Sequence, residues 1–70
     1  MKNKFSQRLK EILLLKNVSQ NQLAKALKIS MAGVNYWVNG KGQPSAENVY
    51  IVAEYFGVSS DYLLGLSDKM

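Results

Sequence analysis

The amino-acid sequence predicts a compact all-α fold of five short helices, with residues 1–70 forming one domain. Three observations lead to this prediction. Apolar residues recur at the three- and four-residue spacing of a helix face along most of the chain. Serine residues precede four of these apolar segments, as expected for helix caps. Residues that tolerate a left-handed backbone, Asn17, Gly57 and Gly65, stand where segments end. We expect an ordered core of about residues 3–65 and a loose tail at residues 66–70.

The first helix is predicted to run from about Asn3 to Lys16 and to end at Asn17. Leu15 flanks its apolar stripe and is assigned to the core. Leu14 is out of phase with the stripe, so it either extends the core or belongs to a partner-binding patch, and we favour the patch. The stripe has the spacing i, i+4, i+7 and i+8 and consists of Phe5, Leu9, Ile12 and Leu13.

The second and third helices form a pair joined by a turn of about four residues. Ser19 caps the second helix, and Gln22 completes a capping box by reaching back to the N–H of Ser19. Ser30 caps the third helix, in which Trp37 shares a face with Val34 and is assigned to the core. The inner faces of the pair comprise Leu23, Ala24 and Leu27, followed by Val34, Trp37 and Val38.

Residues 39–44 form a polar loop rich in glycine, and two helices follow it. Ser45 caps the fourth helix, Glu47 lies in its first turn, and Ile51 points outward. The last helix begins within residues 58–61, and its Leu63 and Leu64 pack inward. The inner face of the fourth helix is predicted to contain Val49, Val52, Ala53 and Phe56.

Composition excludes several classes of function. The chain has no Cys and no His, so disulfides, thiolate chemistry and the commonest metal ligand and general base are missing. The acidic residues are separated along the sequence and form no acid–base pair. We therefore expect no catalytic residues, no metal site and no cofactor, and do not expect an enzyme. No secretory signal or membrane span is recognised, so we expect a cytoplasmic protein.

Charge is divided unevenly along the chain. Residues 1–45 carry eight basic residues against one acidic residue, and residues 46–70 carry one against four, within a net charge of +4. The helix pair lies in the basic half. A polyanion would meet that half first, although lysine is also a common solubilising residue.

The outer face of the third helix carries no charge. At about 100° per residue, it presents Ala32, Asn35, Tyr36 and Asn39, with Met31 at its edge. Small groups, amides and hydroxyls are the groups that meet base edges in a DNA groove. On the pattern alone this face is either ordinary surface or a groove-reading surface, and Tyr36 remains balanced between the two.

The chain resembles the phage lambda repressor and Cro type of helix-turn-helix DNA-binding domain over residues 5–65. The resemblance rests on an ordered set of landmarks and their spacing. They are residues 8–12 (RLKEI), 18–20 (VSQ), 23–24 (LA), 29–30 (IS), Trp37, 39–41 (NGK), 44–45 (PS), 56–59 (FGVS) and 61–65 (DYLLG).

The resemblance implies a lambda-repressor-like domain that binds double-stranded DNA sequence-specifically as a transcriptional regulator, a phage-type or bacterial repressor. Its third helix would enter the major groove, and a homodimer would bind a two-fold-symmetric operator. Gln20 would bond a phosphate and brace the first base-reading residue. The implied DNA-binding residues are Gln20, Met31, Ala32, Asn35, Tyr36, Asn39 and Lys41, with further phosphate contacts at Arg8, Lys28 and Gln43.

Three features depart from the family pattern. Met31 and Ala32 offer no hydrogen bonds, so we expect one of them to contact a thymine methyl while Asn35 and Tyr36 supply polar readout, and part of the specificity to be indirect. A glycine, Gly33, lies inside the third helix, where it costs about 1 kcal/mol relative to Ala but permits close approach to the DNA backbone. Lys28 stands where the turn commonly has Gly. If it is left-handed there, it carries a strain of about 1 kcal/mol; the alternative is that Lys28 is kept for its charge near the DNA.

Self-association is assigned to the last helix, through Tyr62, Leu63 and Leu66. Tyr50 and Tyr55 are read as packing or interface residues and not as ligands. The alternative function is a protein-interaction module, such as an antitoxin or the partner of an anti-repressor, which uses the same fold. Its candidate partner surface comprises the surplus apolar residues Leu14, Ile51 and Leu66.

Overall fold

Five α-helices make up the fold in a computed structural model that describes residues 4–70. They are α1 (Phe5–Lys16), α2 (Gln20–Leu27), α3 (Met31–Val38), α4 (Ala46–Phe56) and α5 (Ser60–Leu64). Residues 4–70 contain no β-strand, so the predicted all-α class is confirmed. Asn3, the predicted start of the first helix, lies outside the described residues. Helix α3 packs against α1 and α2, and α5 packs against α1 and α4.

Serine side chains begin four of the helices, and three of them, Ser19, Ser30 and Ser45, were predicted from the sequence. Ser19, Ser30, Ser45 and Ser59 each accept a hydrogen bond from the backbone N–H three residues on, over 3.0 to 3.1 Å. The capping box is complete, because the N–H of Ser19 donates to Gln22 Oε1 over 2.8 Å. These bonds satisfy N–H groups that have no partner within the helix.

Left-handed residues end four of the helices. Asn17 has φ 56° and Lys28 has φ 59°, both after a helix. Gly57 and Gly65 do the same after α4 and α5, with φ 70° and 83°. In each case the cap N–H bonds a carbonyl of the last turn, as in the common left-handed helix ends.

The core contains side chains from all five helices. Trp37 is buried, as predicted, and its ring meets Phe5 edge to face with centroids 5.8 Å apart. This geometry suits the opposite charge of ring edge and ring face. The most deeply buried large side chains are Phe5, Leu9, Ile12, Leu23, Leu63, Val34 and Val52.

The prediction that Leu15 belongs to the core is wrong. Its side chain is 61% exposed, and that of Leu14 is 83% exposed. Leu15 follows the buried Ile12 by three residues and lies on the flank of the stripe, but no element of the described chain covers that flank in the last turn of α1. Both leucines therefore lie on the solvent side of the last turn of α1.

Residues 66–70, which the sequence predicts to be a loose tail, make contacts with the rest of the chain. Asp68 pairs with Arg8 over 2.8 Å, and the N–H of Ser59 donates to the Met70 carbonyl over 2.8 Å. Gly65 reverses the chain with its positive φ, which directs residues 66–70 back toward the start of α5. Sequence periodicity cannot reveal such a return, because these bonds join residues far apart along the chain.

Candidate nucleic-acid interface

The turn between α2 and α3 contains three residues, 28–30. Lys28 is left-handed, and the next N–H, of Ile29, donates to the Ala24 carbonyl over 3.0 Å. Ile29 packs against the core, to which Leu23 of α2 and Val34 of α3 belong. This shared packing fixes the angle between the two helices. It also leaves the opposite side of α3 uncovered.

The five residues predicted for the outer face of α3 and its end are exposed. Met31, Ala32, Asn35, Tyr36 and Asn39 lie outward, whereas Val34, Trp37 and Val38 are buried. The outward set has no charged member. This face therefore presents methyl, thioether, phenol and amide groups together on one helix, as predicted.

Three amide side chains form a hydrogen-bonded row across α2 and α3. Asn39 Nδ2 donates to Asn35 Oδ1 over 2.9 Å, and Asn35 Nδ2 donates to Gln20 Oε1 over 3.4 Å. We call Gln20, Asn35 and Asn39 the amide row. This row was not predicted from the sequence, although the four-residue spacing of the two asparagines is a detectable signal.

The amide row corrects one implied role of Gln20. The resemblance implies that Gln20 braces the first base-reading residue, which by position is Met31. In the structure Gln20 instead contacts Asn35, one turn further along α3. Gln20 Oε1 accepts in this bond, and Met31 has no hydrogen to donate, whereas the Asn35 amide does.

The loop after α3 packs against Tyr36. The N–H of Lys41 donates to the Tyr36 carbonyl over 3.1 Å, and the Tyr36 ring lies against Gly42. A Cβ at position 42 would come within 2.8 Å of the ring atom Cδ2. Tyr36 is 56% exposed, so one ring edge is held by the loop while the rest faces solvent.

An open hollow of about 350 Å³ lies between this loop and the start of α1. Asn39, Lys41 and Gln43 all contribute to its lining. The structure thus brings together three of the predicted backbone-contacting residues. Lys28 lies in the α2–α3 turn and is exposed.

Arg8 is placed differently from its predicted role as a phosphate contact. Its guanidinium bonds Asp68 and lies 4.6 Å above the centre of the Tyr62 ring. The hydrogen bond and charge of Arg8 lower the pKa of Asp68, and those of Asp68 and Tyr62 raise the pKa of Arg8. The structure therefore commits Arg8 to α5 and the tail, and we leave it out of the interface.

The predicted dimer surface is wrong for two of its three residues. Tyr62 is 3% exposed and Leu63 fully buried, whereas Leu66 is 76% exposed. Helix α5 has only five residues and packs between α1 and α4, so its apolar side chains are used by the core. Only Leu66 of this set remains available to a second copy.

A second hollow, which sequence reasoning missed, lies between the end of α1 and the start of α2. It is broad and open, with a volume of about 670 Å³. Its walls include Leu13, Leu14, Val18 and Gln20, together with Lys10. This hollow therefore joins the exposed apolar end of α1 to one end of the amide row.

Within residues 4–70, His, Cys, Asp and Glu nowhere form a group of three or more that could hold a metal ion. No helix in that range has the length and apolar character needed to cross a membrane.

The fold and this face define a helix-turn-helix domain, with α2 and α3 as the helix pair. Comparison with protein families agrees, because the helix-turn-helix family model matches residues 9–63. The match covers most of the chain, and the chain belongs to this family, of the lambda repressor and Cro type.

Two regulators with curated descriptions are similar in sequence. The transcriptional activator BcrR of Enterococcus faecalis is 35% identical over 60 residues, which are 86% of this chain and 29% of that protein. The transcriptional regulator DicA of Escherichia coli is 36% identical over 52 residues, which are 73% of this chain and 38% of that protein. The chain thus spans well under half the length of either relative.

A solved structure is similar in fold. A transcriptional regulator from Listeria innocua superposes with a TM-score of 0.85 at 24% identity, covering 100% of this chain and 65% of that chain. At this level of identity the likeness establishes the fold.

Proposed function

We propose that this protein binds double-stranded DNA sequence-specifically and regulates transcription, with α3 in the major groove. The observation that carries the proposal is the uncharged, exposed face of α3, flanked by Lys28 and Lys41. Uncharged amide and methyl groups discriminate between bases, and flanking lysines attract phosphates without regard to sequence. The names of both sequence relatives, a transcriptional activator and a transcriptional regulator, support the same role.

Base contacts are assigned to the outer face of α3. Met31 or Ala32 contacts a thymine methyl, and Asn35 and Tyr36 supply the polar contacts. Few hydrogen-bonding groups are available on this face, so part of the specificity comes from the shape and deformability of the operator.

Phosphate contacts are assigned to groups at both ends of the helix pair. Gln20 lies in the first turn of α2, where the helix dipole and free N–H groups favour an anion. Asn39, Lys41 and Gln43 line the hollow behind α3, and Lys28 lies in the turn. These contacts set the register of α3 in the groove.

The proposed binding unit is a homodimer on a two-fold-symmetric operator, acting as a phage-type or bacterial repressor. Two recognition helices would then meet half-sites about 34 Å apart, which is one turn of DNA. Leu66 is the exposed member of the predicted dimer surface. We also propose a cytoplasmic location, because a repressor acts where the DNA is.

Selection of bound duplexes from a random pool tests this function. We expect a two-fold-symmetric sequence that binds at least about 10³-fold more tightly than a scrambled duplex. Lys41→Ala should weaken binding to all sequences and reduce the slope of log affinity against log salt concentration by about one. Lys69→Ala, in the tail, should change neither. If no sequence is enriched and affinity follows salt alone, the basic half is only an electrostatic surface.

A protein-interaction module is the second candidate. Its supporting observation is the exposure of Leu14 and Leu66, at 83% and 76%. A stable stoichiometric complex with a second protein, lost in Leu14→Ser, together with weak nonspecific DNA binding, would favour this candidate over the regulator.

A further inference from the structure

The amide row limits what Asn35 can offer to a base. An amide group has two N–H donors and an oxygen with two lone pairs. In Asn35 one N–H donates to Gln20, and the oxygen accepts from Asn39. One donor and one acceptor position therefore remain. The residue one turn earlier on the same face is Ala32, whose methyl group cannot compete for either.

Only one purine has an acceptor and a donor in the major groove to match the remaining donor and acceptor of Asn35. Adenine presents an acceptor, N7, beside a donor, N6, whereas guanine presents two acceptors, N7 and O6. We propose that Asn35 reads adenine, with the amide row fixing which end of its amide donates. The inference rests on the proposed function and deepens it by naming the base and the atoms that are read.

The row has a direction that a phosphate at Gln20 would maintain. Gln20 Oε1 accepts from Asn35, so both N–H groups of Gln20 Nε2 are left for an acceptor. A phosphate offers only acceptors. Reversing the row would turn Oε1 of Gln20 toward the phosphate, which is repulsive. Gln20 and Asn39 are thus positioning residues for Asn35.

The base contact is tested on the duplex obtained by selection. At one adenine of each half-site, replacement by guanine or by 7-deazaadenine should weaken wild-type binding about tenfold or more. The same replacements should change binding of Asn35→Ala less than about twofold. Equal losses in the two proteins at every adenine would overturn the inference.

The positioning role is tested by three substitutions that each add one negative charge. Asn39→Asp has no N–H to donate, so the row breaks, and the preference for adenine over guanine should fall at least about fivefold. Gln20→Glu still accepts from Asn35 but cannot donate to a phosphate, so it should weaken binding to all sequences and keep the preference. Asn48→Asp, in the first turn of α4, is the control and should keep the preference.

The outcomes separate this inference from the function on which it rests. A selected sequence without an Asn35-dependent adenine, or an Asn39→Asp variant with unchanged preference, overturns the inference and leaves sequence-specific binding standing. A pool from which no sequence is enriched overturns both. Melting curves for all four variants confirm that each remains folded.

Discussion

Lys28 adopts a left-handed backbone, φ 59°, which costs an L-residue about 1 to 2 kcal/mol. Glycine adopts this conformation without that cost, although it is more flexible when unfolded. We expect Lys28→Gly to raise the free energy of unfolding by about 0.5 to 1 kcal/mol and the melting temperature by about 2 to 8 °C. Thermal unfolding measures this.

Asn17→Gly is the matched control, because Asn17 ends α1 with nearly the same φ of 56°. Asparagine tolerates the left-handed region better than lysine, so its gain should be smaller. A lower melting temperature for Lys28→Gly would contradict the assigned strain.

Gly42 lies against the ring of Tyr36, where a Cβ would approach Cδ2 to 2.8 Å. The ring is at the surface and can move aside, so we expect Gly42→Ala to change stability by less than about 1 kcal/mol. The displaced ring should lower affinity for the selected duplex several-fold. When Gly42→Ala is added to the Tyr36→Ala variant, we expect no further loss of affinity. A loss that persists without the tyrosine ring would show that the loop itself, and not Tyr36, makes the contact.

Asp68 gives stability a dependence on acid pH. Arg8 holds the folded-state pKa of Asp68 below its ordinary value, so the stabilisation is present above the unfolded-state pKa of about 3.9 and is lost as pH falls through the folded-state pKa. We expect the melting temperature of Asp68→Asn to be slightly below that of the wild type at pH 7. The two melting temperatures should become equal toward pH 2, where Asp68 is protonated. Melting curves between pH 2 and 7 test this; a constant difference would contradict it.

Capping determines where the helices begin. Ser19 accepts from the Gln22 N–H and donates its own N–H to Gln22 Oε1. We expect Ser19→Ala to cost about 1 kcal/mol, seen as a lower denaturation midpoint in urea at unchanged slope. Ser60→Ala, one residue past the cap of α5, is the control. Equal losses would mean that the cap contributes nothing specific.

Helix starts and ends could be predicted from the sequence because their causes are local. The capping serines and the left-handed Asn17 and Lys28 act within a few residues of themselves. Leu15 could not be placed, because burial in the last turn of a helix depends on which neighbouring element covers it. The same reason applies to Tyr62 and Leu63. They are buried because α5 packs against both α1 and α4, which the sequence of α5 does not reveal.

Across the whole molecule, the candidate site was predictable as a set of residues but not as a network. The sequence indicated which side of α3 faces outward, since periodicity separates that side from Val34 and Trp37. It did not indicate that Gln20 reaches Asn35 or that Asp68 holds Arg8, because 15 and 60 residues separate these partners. Contacts between distant residues depend on the packed fold.

Charge at the scale of the molecule agrees with the proposed orientation on DNA. The half that contains α2 and α3 carries the basic excess, and the half with α4 and α5 carries the acidic one. Attraction to phosphates would therefore favour approach through the helix pair. Ionic strength should weaken this attraction.

Contact between the outer face of α3 and DNA can be observed residue by residue in a backbone amide NMR titration with the selected duplex. We expect the largest shifts at residues 19–21, 28, 31–36 and 39–43, and little change along α4. A scrambled duplex should reproduce them only weakly. Shifts concentrated instead around Leu14 and Val18, or equal for both duplexes, would contradict the account.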